Sequence, residues 1–140
     1  MKRAVPLRIN IRLALLSLSL LVSMRPVFAH HSFTAEYDSS KMRQFVGTVT
    51  KVEWTNPHAR FYLDVKDDQG VVTNWNFELG SPLFLRRLGW RSDSLKVGDQ
   101  VTVEGYLAKD GAKMANARTV NLADGRKVFA GSSADGNPVK

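Results

Sequence analysis

The chain has 140 residues, with 20 Lys and Arg against 13 Asp and Glu, three His and no Cys. Five of the basic residues (Lys2, Arg3, Arg8, Arg12, Arg25) and no acid fall in the first 29, so the remaining 111 residues carry fifteen basic against thirteen acidic groups. That near balance is no footprint of a nucleic-acid binder, and nucleic acid is excluded as a partner at this point. Without cysteine there is no disulfide, and stability must come from packing in one domain-sized core.

Residues 1–29 read as a secretory signal. A basic start precedes the apolar run Leu13–Val22, and Val27-Phe28-Ala29 places small residues where signal peptidase needs them. The run is about half the roughly 20 residues a membrane-spanning helix requires. The expected product is a periplasmic or secreted protein beginning at His30, with no membrane anchor after cleavage.

Residues 30–44 predict an extended lead-in anchored by Phe33 and Tyr37. Phe45 to Trp54 is the first clear strand, and its Gly47 marks a bend of the kind a small closed barrel uses. Ala59–Val65 alternates, with Phe61 and Leu63 on one face and Arg60, Tyr62 and Asp64 on the other. Asp67-Asp68-Gln69-Gly70 is a hairpin turn. Val71–Leu79 returns with Trp75 and Phe77 inward and a polar row of Asn74, Asn76 and Glu78 outward. Ser81 as N-cap, Pro82 at the first position and Gly89 after the end define a short helix over Pro82–Leu88. Its Leu83, Leu85 and Leu88 are expected to be buried. Gln100–Leu107 and Ala115–Leu122 are the next strands, and Lys127–Ala130 adds a short edge strand. Gly131–Lys140 predicts a disordered tail.

Three strands, a helix and two strands, with an optional sixth, is the order of an OB-fold. The expected fold is therefore mainly β: a five- to six-stranded OB-like barrel over residues 45–130, with one short helix between strands three and four. Phe61, Leu63, Trp75, Phe77, Val101, Val103 and Val120 should form its core.

The stretches GTVTKVEWTNPHARFYLDVKD, NWNFELGSP, LKVGDQVTVEGYLAKDG and NARTVNLADGRK, with HHSF after the signal, resemble a family of secreted bacterial proteins of unknown function. The resemblance covers nearly all of the chain after the signal and implies export and a small β-barrel. It supplies no activity and no ligand. In architecture the chain is also similar, more weakly, to the bacterial OB-fold family of periplasmic proteins.

Chemistry concentrates at the joint Trp54-Thr55-Asn56-Pro57-His58, between the first two strands. Cleavage after Ala29 would give His30 an α-amine and an imidazole on one residue, a pair able to chelate copper. His58 is the only non-adjacent imidazole available to complete the set, with His31 as a neighbour. The terminal His is similar to the copper brace of secreted polysaccharide monooxygenases in ligand type alone. The competing reading makes His30 and His31 a polar terminus and Asn56-Pro57-His58 a turn.

The outer strand face offers a second candidate site. Trp54, Asn56, Arg60, Tyr62, Asn74 and Asn76 would bind a polar small molecule, glycan or protein partner. Glu53 and Glu78 face water or pair with Lys51 or Arg60. No nucleophile motif is present, so the reading is a non-catalytic binding module of unknown ligand. A copper-binding protein is the alternative, and a copper-dependent oxidase needs that alternative first.

Overall fold

A computed structural model of the chain describes residues 33–130. The expected signal, His30, His31 and the expected tail lie outside the described residues. In chain order the elements are α1 (Phe33–Glu36), β1 (Tyr37–Glu53), β2 (Arg60–Lys66), β3 (Val72–Glu78), α2 (Pro82–Arg87), β4 (Gln100–Ala108), β5 (Met114–Leu122) and β6 (Lys127–Phe129). The strands join in the order β3-β2-β1-β4-β5-β6, and β3 also pairs with β5. That last pairing is parallel, Asn76 to Met114 through Glu78 to Asn116, and it closes the barrel. The fold is the mainly β, OB-like barrel expected, with α2 between β3 and β4.

β1 is longer than the pattern indicated, beginning at Tyr37 rather than Phe45. Its first half pairs with β4, from Tyr37 opposite Ala108 to Thr48 opposite Gln100, and its second half with β2. Gly47 lies in both ladders. A Cβ there would stand 2.5 Å from the Asp64 carbonyl oxygen, so only glycine lets the strands approach this closely. Phe33 and Tyr37 draw the lead-in onto the barrel by packing with Tyr106, and this fixes eight residues the alternation rule leaves unread.

All seven residues expected to point inward are buried, within one cluster that also holds Phe45, Val49, Leu85 and Trp90. In α2 the Ser81 side chain accepts from the Phe84 N–H at 3.3 Å and Pro82 occupies the first turn. Leu85 is buried and Leu88 half-buried, but Leu83 is exposed. A single-sided helix of six residues buries Pro82 and Leu85 three apart, which turns Leu83 outward. The Trp90 indole N–H donates to the Phe129 carbonyl at 2.8 Å, tying the chain after α2 to β6. Among the described residues, no helix is long and apolar enough to cross a membrane.

Candidate binding site

With Phe61, Leu63, Trp75 and Phe77 inside, alternation puts the intervening residues of β2 and β3 outside. Register sets them in cross-strand pairs: Arg60 with Glu78, Tyr62 with Asn76, Asp64 with Asn74. β5 then lays Asn116 beside Glu78 and Met114 beside Asn76.

Glu78 is buried, at 4% exposure. It pairs with Arg60 as expected but does not face water. One carboxylate oxygen accepts from the Arg60 guanidinium. The other accepts from the Asn116 amide at 3.3 Å and lies 3.3 Å from His58 Nδ1. Arg60 also directs a second guanidinium nitrogen at Met114 Sδ, 3.5 Å away. His58 and Arg60 are each about a quarter exposed and form the rim of this cluster. Paired this way, a carboxylate can be held out of water without the full desolvation cost.

The lead-in covers the cluster. Tyr37 is buried, and its hydroxyl lies near Glu78 without a hydrogen bond of normal geometry. Burial first, and then the nearby Glu78 charge, push the Tyr37 pKa up, while Arg60 partly offsets them. Phe33 stacks on Tyr37 at 5.6 Å between centroids and meets Tyr106 edge-on at 5.3 Å. Lys109 pins the same turn from below, its N–H to the Glu36 carbonyl and its ammonium to the Thr34 carbonyl.

The remaining candidates fall into separate groups. Tyr62 donates to Glu53 at 3.2 Å and lies under the Lys51 ammonium. Glu53 pairs with Lys51, which holds its carboxyl below the usual range, helped by Tyr62. Asn74 is exposed and donates to Asp64 at 2.7 Å and to Thr50 at 3.0 Å. Asn76 is half-buried, with its side-chain oxygen buried and unpartnered. Trp54 packs half-buried against the core with its indole N–H unpartnered, and Asn56 is exposed. His58 follows the Asn56-Pro57 joint, where the peptide bond is cis, and its partner is the Glu78 carboxylate. A surface cleft of about 270 Å³ near Lys96 and Asp124 contains none of these residues.

Residue reading missed Tyr37 and Asn116. Asn116 could have been found as the amide interrupting small apolar residues in Ala115–Ala117; Tyr37 gave no signal beyond its being an aromatic anchor. Among the described residues, no three His, Cys, Asp or Glu side chains are grouped to hold a metal.

Residues 18–117 match the model of a family described as "Family of unknown function (DUF6152)". The chain belongs to this family. No curated protein matches it. The barrel is similar to the crystal structure of the mitochondrial single-stranded DNA binding protein Rim1 from S. cerevisiae. The TM-score is 0.47 at 14% identity, covering 59% of this chain and 93% of that one. This neighbour corrects the exclusion of nucleic acid as a partner. That exclusion rested on the charge balance alone and is withdrawn.

Proposed function

We propose that this member of the family is an exported, non-catalytic binding module, acting in the periplasm or outside the cell. Its ligand would engage the outer face of the barrel around Glu78. The signal-like residues 1–29 support export. The observation that carries the binding reading is a carboxylate on the outside of a barrel yet only 4% exposed, held by Arg60, Asn116 and His58. Buried ion pairs are poor stabilising devices, since apolar residues of similar volume often do as well. The rim leaves His58 and Arg60 reachable, and the Asn76 side-chain oxygen leaves polar capacity unused. These features suit a ligand rich in hydrogen-bonding groups. An amide-resolved NMR titration with a panel of amino acids, sugars and nucleotides tests this. Saturable shifts centred on His58, Arg60, Asn76 and Asn116 support it; a ligand whose shifts avoid all four refutes it.

Copper binding by His30, His31 and His58 is the second reading, and one contact favours it. His58 presents Nδ1 to Glu78, which leaves Nε2 for a metal in the orientation a supporting carboxylate imposes. Tyr37 lies near the same carboxylate. Protein beginning at His30 should bind one equivalent of Cu(II) with proton release. Equal affinity after His58→Ala, or with one residue added before His30, defeats this reading.

A further inference from the structure

We propose that the free edge of β3 at Val72–Asn74 docks an extended peptide segment, with an acidic side chain of that peptide directed at Arg43 and Lys113. This lies apart from the Glu78 cluster and stands whether or not that cluster binds a ligand.

The edge follows from register. The Asn76 N–H points away from β2, donating to the Lys113 carbonyl at 3.0 Å. In an antiparallel pair the outward-facing peptide groups recur every second residue. Val72 and Asn74 therefore also turn their N–H and C=O groups away from β2. The hairpin agrees, because the Asp67 N–H donates to the Val71 carbonyl, as an inward-bonded pair at that position must. β5 meets β3 only from Asn76 to Glu78, so no described strand covers Val72 and Asn74 on this side. Both are exposed, Val72 at 57%. An unpaired strand edge is a template for another extended chain.

The charge comes from two side chains on one ring. The Arg43 guanidinium carbon lies 5.7 Å from the Trp75 ring centroid and 5.1 Å from that of Phe45. The Lys113 ammonium lies 5.4 Å from Trp75. Among the described residues neither cation has a carboxylate partner. Two like charges gathered on one indole leave an unbalanced positive site at the end of the open edge, and an incoming carboxylate relieves it. A second copy pairing edge to edge would instead bring two such sites together. Base stacking is disfavoured because Trp75 is only 7% exposed and already carries both cations.

The test is a titration of ¹⁵N-labelled protein with a capped peptide of about five residues, valine and threonine around a central glutamate, long enough to span the edge. The amides of Val72 and Asn74 should shift saturably and exchange more slowly with solvent. Replacing the peptide glutamate with glutamine, or the protein pair by Arg43→Gln with Lys113→Gln, should weaken binding by about tenfold. Val72→Pro removes one edge donor without touching a β2 hydrogen bond and should weaken binding in a protein that still gives a folded spectrum. Unmoved amides at saturating peptide, or equal affinity for the glutamine peptide, overturn the proposal. So does tighter capture of a ten-nucleotide oligothymidine at the same amides, or concentration-dependent dimerisation that protects them without peptide.

Discussion

At one end of the outer row of β2 and β3, Asp64 and Asn74 face each other in solvent, joined by a hydrogen bond of 2.7 Å. At the other end, four residue pairs along the same ladder, Arg60 and Glu78 meet with the carboxylate almost wholly buried. The strands, the face and the alternation are the same. What differs is the cover: β5 and the lead-in from Phe33 to Tyr37 close over the Glu78 end, and nothing described closes over the Asn74 end. A period of two separates the faces of a sheet but says nothing of what packs on the outer one.

The interior sets the scale for breaking this contrast. Phe77 is fully buried, stacked on Phe61 at 5.1 Å and edge-on to Phe45 at 5.0 Å. Phe77→Ala should cost about 3–5 kcal/mol in denaturant unfolding, a large share of the roughly 5–15 kcal/mol a domain possesses. A cost as small as that of an outer-row change would mean that the two faces are not distinguished energetically.

The second test sets the two carboxylates of the outer face against each other. Glu78→Gln removes a charge on which Arg60 and Asn116 depend and should cost about 1–3 kcal/mol. Glu53→Gln breaks a pair with Lys51 that is largely in water and should move the denaturant midpoint far less. Equal costs would show that the cover over Glu78 is leaky enough to solvate it.

The barrel interior was legible because Phe61, Leu63, Trp75 and Phe77 alternate without interruption, and because Ser81-Pro82 and the turn glycines punctuate the chain where physical chemistry demands. The polar row was legible as a row. Its burial was not, since that depends on Asn116, brought beside Glu78 by the parallel β3–β5 pairing, and on Tyr37, some forty residues away in the chain. Such contacts come from barrel closure and leave no local period. His58 was singled out for its position in the joint, yet its carboxylate partner lies at the end of another strand.

Tyr37 sharpens the contrast through pH. Burial and the Glu78 charge raise its folded pKa above the ordinary value. A raised pKa contributes stability that is fully present below the unfolded value, and that stability is lost as pH climbs toward the folded one. Unfolding free energy should therefore decline above a pH of about 10, where the unfolded tyrosine ionises. Tyr37→Phe should flatten that alkaline limb while leaving the neutral-pH fold intact. An unchanged slope in the phenylalanine variant would mean that the lead-in does not hold Tyr37 against the carboxylate in solution.

The smallest effect belongs to the open end. Asn74→Ala deletes two hydrogen bonds, to Asp64 and to Thr50, and on contact distance alone it would look as damaging as losing an interaction of Glu78. It should not be. All three groups are exposed, so water replaces each lost bond and no buried donor or acceptor is stranded. The expected change in unfolding free energy is within about 0.5 kcal/mol, with the denaturant midpoint almost unmoved. A loss approaching that of Glu78→Gln would show that something covers the Asn74 end in solution. The edge of β3 beside it would then already be occupied, and the comparison between the two ends would collapse.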